Sequence, residues 1–276
     1  MYTLNCKGRL LVIEQPIVMG ILNVTPDSFY SGSRLQSEEA VLQKAGQMIL
    51  EGATILDIGG QSTRPNSTRI SNEEELERVL PAIKSIKNKF PTVFISIDTY
   101  NASVAKEAIA AGADMVNDVS AGTMDAEMIA TVAALNVPFI AMHMQGTPTT
   151  MQQNPTYKNV ATEVVDYFIK KTEQLKQAGI KDILIDPGFG FGKTIEHNFQ
   201  LLKQLEIFSI FHLPLLAGLS RKSTIYKTLG ITSEEALNGS TVLNTIALTK
   251  GVTILRVHDV KEAKEAITLF TAMQEA

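Results

Sequence analysis

Eight short apolar runs recur along this chain, each ending in polar residues and separated from the next by enough residues for a helix. They are Ile17–Val24, Thr54–Ile58, Val93–Ile97, Met115–Val116, Pro138–Met142, Ile183–Ile185, Pro214–Leu219 and Thr253–Val257. At or just past their ends stand Asn23, Asp57, Asp98, Asn117, His143, Asp186, Ser220-Arg221-Lys222 and Arg256-Val257-His258-Asp259. Strand then helix, repeated eight times, specifies a parallel sheet with helices outside. When such a sheet closes, every strand finishes on one face, and the polar ends converge on a single mouth. The pattern predicts an α/β protein, a (β/α)8 TIM barrel with its site at that mouth. A doubly wound open sheet is the structural rival, and the near-even spacing of the runs favours closure.

The length of 276 residues suits one such barrel. No Pro/Gly/Ser-rich linker or charge run divides it, so residues 1–276 are expected to form one domain. The net charge of −4 speaks against broad nucleic-acid binding, which needs a basic face. No apolar run approaches the roughly 20 residues of a membrane span. The N-terminus shows no charged leader followed by an apolar segment, so the cytoplasm is the expected location. Cys6 is the only cysteine, which excludes an internal disulfide and any multi-cysteine metal site.

Before the first run, Lys7-Gly8 between short apolar stretches predicts an N-terminal β-hairpin that plugs the bottom of the barrel. Ser37-Glu38-Glu39 reads as a helix start, and Ser71-Asn72-Glu73-Glu74 as a capping box ahead of Leu76, Val79, Leu80, Ile83 and Ile86 at helical spacing. Asn101 reads as the cap of a helix running to Gly112. Further helices fit 124–135, 157–178, 195–206, 238–250 and 260–273. Three strand-to-helix connections are long and turn-rich: Thr25–Gln36, Gln61–Ile70 and Gln145–Thr156. All three fall on the predicted mouth, where long loops act as lids.

Four stretches carry a family likeness: Met19-Gly20-Ile21-Leu22-Asn23-Val24-Thr25-Pro26-Asp27-Ser28-Phe29, Asp57-Ile58-Gly59-Gly60-Gln61-Ser62-Thr63-Arg64-Pro65, Asp186-Pro187-Gly188-Phe189-Gly190-Phe191-Gly192-Lys193, and Ser220-Arg221-Lys222. In order and across nearly the whole chain, they resemble the dihydropteroate synthases of folate synthesis. The resemblance implies an enzyme that joins (7,8-dihydropterin-6-yl)methyl diphosphate to p-aminobenzoate, giving 7,8-dihydropteroate and diphosphate. It also implies Mg²⁺ as cofactor and a homodimer.

An ionised carboxylate only accepts hydrogen bonds, and a pterin offers an amino group beside a ring N–H, an edge that fits a carboxylate with two parallel bonds. The family pattern assigns that edge to Asp186, with Asn117 and Asp98, and adds Lys222, Phe191 and Met142 to the pterin site. Capping of the next helix is the plain alternative for Asp98, and a poor one for Asp186, which Pro187 and three glycines follow. The glycine run is not a phosphate loop: counting back from Gly192-Lys193-Thr194, Pro187 occupies the first glycine position. Those glycines read instead as backbone passing under a flat ring, with Phe191 for apolar contact.

For the diphosphate the resemblance implies Asn23, Thr63, Arg64, Arg256 and His258. Arginine supplies a fixed fork for phosphate oxygens. Asn23 is the implied Mg²⁺ ligand, although a strand-end turn residue is an equal reading of the sequence. For p-aminobenzoate the family implies Phe29, Arg64, Pro65, Phe191 and Ser220. Arg221, beside Lys222, reads as a solvated surface charge. His143 ends its strand at the pocket, whereas His197 and His212 read as surface or structural residues. The implied chemistry is dissociative: diphosphate departs first, and Asp98 and Asp186 offset the positive charge left on the pterin methylene, with Lys222 as the third catalytic residue.

The chain departs from the family pattern at Tyr30–Ser33, at Gln61 where glutamate is common, and at Asn66 where glycine is common. Two rivals to this reading stand. One is a methyltetrahydrofolate methyltransferase-type barrel, which would lack Ser220-Arg221-Lys222 and the Phe29 and Arg64 loops. The other is a non-catalytic pterin-binding relative with a regulatory role.

Overall fold

The computed structural model describes residues 1–24, 34–61 and 69–276, with backbone only for 34–37. It begins with an antiparallel hairpin, β1 (Tyr2–Cys6) and β2 (Arg9–Ile13), turned at Lys7 and Gly8, both with positive φ. Eight parallel strands follow among the described residues: β3 (Ile17–Asn23), β4 (Ala53–Gly59), β5 (Phe94–Asp98), β6 (Met115–Asp118), β7 (Phe139–Met142), β8 (Ile183–Asp186), β9 (Leu216–Ala217) and β10 (Ile254–Val257). The order is β8-β7-β6-β5-β4-β3-β10-β9, and a parallel bridge between Ile185 and Leu215 brings the two ends together. The barrel is therefore closed, as the spacing of apolar runs predicts, with the hairpin at its N-terminal end. The seventh run yields the shortest strand. Pro214 at its start has no N–H to give the ladder, and only its carbonyl takes part, accepting from Ile185.

Side chains on a strand alternate between faces. One set points outward: Leu56, Ile58, Ile95, Ile97, Val116, Phe139, Ile185 and Leu255 pack against the helices. The other points inward in layers. At the bottom, Met19, Ile55, Met115, Ile140, Leu184, Leu216 and Ile254 form one buried cluster with Leu4, Cys6, Leu11 and Ile13 of the hairpin. Burying each such aliphatic side chain contributes about 1.5–3 kcal/mol, so the plug and the lower barrel hold each other. Arg9 pins the hairpin: it lies 4.3 Å over the Phe94 ring and pairs with buried Asp114 at 3.0 Å. Two residues further along the strands, the inward positions are Ile21, Asp57, Ser96, Asn117, Met142, Asp186, Gly218 and Arg256. The interior turns polar there, on the level where the strands end.

The helices are α1 (Arg34–Leu50), α2 (Asn72–Lys89), α3 (Ala102–Ala111), α4 (Met128–Leu135), α5 (Val160–Gln177), α6 (Ile195–Lys203), α7 (Ser223–Leu229), α8 (Leu237–Thr249) and α9 (Val260–Glu275). Several starts differ from expectation. Helix α1 begins before Ser37, which lies within it. At α2, Ser71 accepts from the Glu74 N–H, but the Glu74 carboxylate turns to Arg78 instead of closing the capping box. A full capping box forms at α6, between Thr194 and His197, so His197 is structural. Asn101 stands at the N-cap position of α3 without capping it. Its amide donates to Glu75 at 2.7 Å, and Asp125 receives the Ala102 N–H in its place. Helix α7, directly after Lys222, and a 3₁₀ turn over Leu205–Phe211 are additions to the expected set.

Candidate active site

Asn117, Asp57, Arg256 and Asp98 form one connected unit at the mouth. Arg256 Nε donates to Asp57 Oδ2 at 2.6 Å, and its Nη2 donates to Asp98 Oδ2 at 2.6 Å. Asn117 Nδ2 donates to the same Asp57 oxygen at 3.0 Å. Asp98 is thus held by Arg256, not spent on the cap of α3. Burial pushes its carboxyl up to about 7, with Arg256 pulling the other way and Asp57 adding to the rise. Burial also opposes the Arg256 charge, but Asp57 and Asp98 outweigh it and raise its pKa. The sequence reading gave Arg256 to the diphosphate alone. The structure places it among acids, with its Nη1 lacking an acceptor among the described residues.

Asp186 ends β8 and is buried. Its Oδ1 accepts the Gly188 N–H at 2.7 Å, and its Oδ2 has no donor among the described residues. Burial raises its pKa, against the pull of Lys222. Lys222 Nζ donates to the Phe189 carbonyl and lies 4.7 Å from the centre of the Phe191 ring. Burial brings Lys222 down to about 8, while Asp186 acts to raise it. Glycine is required where these parts meet. A Cβ on Gly188 (φ +73) would lie 1.9 Å from the His143 carbonyl oxygen, and one on Gly190 (φ +82) would lie 3.2 Å from Lys222 Cδ. Met142 joins Tyr100 and Val119 in a small buried apolar cluster, with Met124, Met144 and Phe191 packed against it.

Just past β9, beside Lys222, Ser220 Oγ accepts from the His258 N–H at 3.2 Å and lies 3.2 Å from His258 Nδ1. The residue expected at the p-aminobenzoate carboxylate and one expected at the diphosphate are therefore direct partners. Arg221 is not a solvated surface charge. It makes a two-bond pair with Asp259, 2.8 Å for each bond, and donates to the Ser233 and Glu234 carbonyls. With φ +54 it turns the chain after Ser220, and Asp259 and the Ser233–Glu234 backbone hold that turn.

Asn23 closes β3, half-buried. It and Asp98 flank Gly59: a Cβ there would lie 3.6 Å from both Asn23 Oδ1 and Asp98 Cβ. No group of three or more His, Cys, Asp or Glu that could hold a metal occurs among the described residues. A neutral, half-buried Asn oxygen at a strand end suits Mg²⁺ that takes its other ligands from phosphate and water. Phe29, Thr63, Arg64 and Pro65 lie outside the described residues, as do Tyr30–Ser33 and Asn66. Gln61 is described: its Oε1 accepts the Ile70 N–H at 2.9 Å, the task of an acceptor that a neutral amide performs as well as a carboxylate. The third long connection is closed at its base, where the Gln145 amide exchanges two hydrogen bonds with the Thr156 backbone.

Two residues of this site, Asp57 and Lys193, were given no role in the reading of the sequence, although Asp57 stands among its strand-end residues. Asp57 had a signal: two strand positions past Ile55, it shares the inward phase of Asn117 and Asp98. Lys193 lies buried beneath the glycine turn, and a lone lysine after three glycines carries no such mark.

An eight-stranded barrel with acids and lysine converging at its mouth is the architecture of pterin-binding enzymes. Residues 19–258 match the family model described as pterin binding enzyme. The chain is 44% identical to dihydropteroate synthase of Escherichia coli K12 over 275 residues, 99% of this chain and 97% of that one. Its fold is similar to Yersinia pestis dihydropteroate synthase solved with a sulfonamide drug, at TM-score 0.92 and 40% identity, covering 99% of each chain. It is likewise similar to the Xanthomonas albilineans enzyme with 4-aminobenzoic acid, at TM-score 0.92 and 40% identity, covering 99% and 98%. The same enzyme with 7,8-dihydropteroate gives TM-score 0.90 at 38% identity, covering all of both chains. This chain belongs to the dihydropteroate synthase family.

Proposed function

We propose that this protein condenses (7,8-dihydropterin-6-yl)methyl diphosphate with p-aminobenzoate, with a division of labour set by the mouth of its barrel. Asp186 carries the reading. It is a buried carboxylate at a strand end, with one oxygen accepting from Gly188 N–H and the other without a donor among the described residues, and a carboxylate is the group that takes a two-donor edge. Asn117 and Asp98 complete the pterin's polar surround, Met142 and Phe191 supply apolar contact, and Lys222 donates to the pterin's carbonyl side.

The aniline nitrogen of p-aminobenzoate is a weak nucleophile, so departure of diphosphate sets the barrier. Asp98 and Asp186 offset positive charge developing on the pterin methylene. Arg256 Nη1, His258, Thr63 and Arg64 bind the leaving diphosphate. Phe29, Arg64, Pro65, Phe191 and Ser220 take p-aminobenzoate, with its carboxylate at Ser220. Asn23 would hold Mg²⁺ together with the diphosphate. The ion supplies charge neutralisation of the leaving group.

The chain as one pterin-binding domain, action in the cytoplasm and assembly as a homodimer complete the proposal. No helix among the described residues is long and apolar enough to cross a membrane. Exposed Val242 and Ile246 on α8 and Leu269 and Met273 on α9 give the dimer an apolar face. Sedimentation of the purified protein tests it: a single species of monomer mass contradicts the dimer.

The activity is tested by diphosphate release in the presence and absence of p-aminobenzoate. Release that depends on p-aminobenzoate is expected. Release without it contradicts the reading, as does pterin binding without turnover, the behaviour of a regulatory relative. In the same assay D186N should remove pterin binding, by calorimetry, while leaving the barrel folded.

A further inference from the structure

The turn Gly188–Gly192 between β8 and α6 has all five of its carbonyls engaged. Gly188 O accepts from Lys193 Nζ at 3.0 Å and from Phe191 N at 3.1 Å. Phe189 O accepts from Lys222. Gly190 O accepts from Gln152 at 2.6 Å, Phe191 O from Lys193 at 3.1 Å, and Gly192 O from the Tyr157 hydroxyl at 2.8 Å. The two lysines reach the turn separately: Lys222 meets Phe189 O and the Phe191 ring, and Lys193 meets the carbonyls of Gly188 and Phe191.

Lys193 is 3% exposed. Its Nζ also lies 3.0 Å from His143 Nδ1. Three acceptors thus surround a group that has three donors when charged, which leaves none of its hydrogens unused. For His143 to accept, its Nδ1 must be bare and its ring proton must sit on Nε2. Burial, reinforced by the Lys193 charge, pushes His143 down to about 3, in the same direction. Burial also draws Lys193 down to about 7, with Asp186 acting to raise it and Lys222 adding to the fall.

We propose that Lys193 is a positioning residue for pterin binding: through Gly188 O, Phe191 O and a neutral Nε2–H His143, its ammonium fixes the turn that presents Phe191 and Lys222 to the ring. An apolar residue in its place would leave His143 Nδ1 buried, and the Phe191 carbonyl half-buried, without this donor. The turn could then shift, and the Phe191 ring with it. This inference rests on the assignment of the pterin to Asp186 and Lys222.

The test compares wild type with K193M, K193R and D186N, using steady-state kinetics in both substrates and ¹⁵N NMR of the four histidines. K193M is expected to fold with a cooperative thermal transition, to raise KM for the pterin diphosphate by about tenfold, and to change kcat by less than about threefold. K193R, which keeps a charged donor, should recover part of that loss. In wild type, His143 should show a bare Nδ1 at about pH 6, where Lys193 carries its proton, and K193M should lose that fixed tautomer. A wild-type KM in K193M overturns the proposal, as does a loss of activity accounted for wholly by unfolded protein, or an Nδ1–H tautomer in the wild type. Where K193M does not fold, K193R and the wild-type spectrum decide on the same criteria. D186N separates the two levels. If it binds pterin normally, the site itself is misassigned. If it abolishes binding while K193M is unaffected, only the role of Lys193 falls.

Discussion

Arg256 on β10 donates through Nε to Asp57 on β4 at 2.6 Å, spanning β3, the strand that both of theirs pair with. Asp57 has no exposed side-chain surface, and its second oxygen, Oδ1, is buried without a partner among the described residues. It therefore acts inward on the protein, holding Arg256 and Asn117 by a single oxygen. Arg256 in turn holds Asp98. The aim of three residues at the mouth depends on one carboxylate below them.

Replacing Asp57 with asparagine should therefore cost both stability and catalysis. Breaking a buried ion pair on one side costs roughly 3–5 kcal/mol, and D57N should lie near the lower end, because Asp98 still faces Arg256. Urea unfolding gives the stability, and kcat/KM for the pterin diphosphate should fall with it. A variant of unchanged stability and activity would show that Asp57 positions nothing.

The pH dependence follows from two shifts of opposite sign. Asp98 is raised to about 7, chiefly by burial, and works as an anion above that pH. Lys222 is lowered to about 8, chiefly by burial, and works as a cation below that pH. The profile of kcat/KM for the pterin substrate should be a narrow bell, falling on the acid side as Asp98 gains its proton and on the alkaline side as Lys222 loses one. In K222M the alkaline limb should disappear from the residual activity. A profile flat from about pH 6 to about pH 9 would contradict both assignments.

Metal binding should depend on the substrate. Asn23 is neutral, and no acidic cluster suited to a metal stands among the described residues. Calorimetric titration of Mg²⁺ into the free protein should give no saturable heat at millimolar concentration, and addition of diphosphate should create the site. Substitution N23A should weaken the diphosphate-dependent signal. Tight Mg²⁺ binding without diphosphate would remove Asn23 from its role.

The fold was legible because the strands are largely apolar on both faces over their lower halves and polar residues stand at or just past their ends, so the runs from Ile17 to Val257 declare themselves. Asp98, Asn117 and Asp186 were legible for the same reason: each stands at a strand end in the inward phase. Partnerships were less so. Nothing in the spacing shows that Arg256 pairs with Asp57, since the two are 199 residues apart and meet only on closure of the barrel. Arg221 was misread because an arginine next to a site lysine looks like a solvated charge, while its partner Asp259 comes from the next strand end. Asn101 and Ser37 show the limit of local capping rules. Each side chain type fits a helix start, but Glu75 takes Asn101, and α1 begins earlier than its serine.

The most direct measurement is a crystal of the protein soaked with a 7,8-dihydropterin. The ring should lie at the mouth of the barrel, with its amino and ring N–H edge on Asp186, Asn117 and Asp98 beside it, Lys222 on its carbonyl side and Phe191 against it. A pterin bound anywhere else, or in the mouth with that edge turned away from Asp186, would contradict the account.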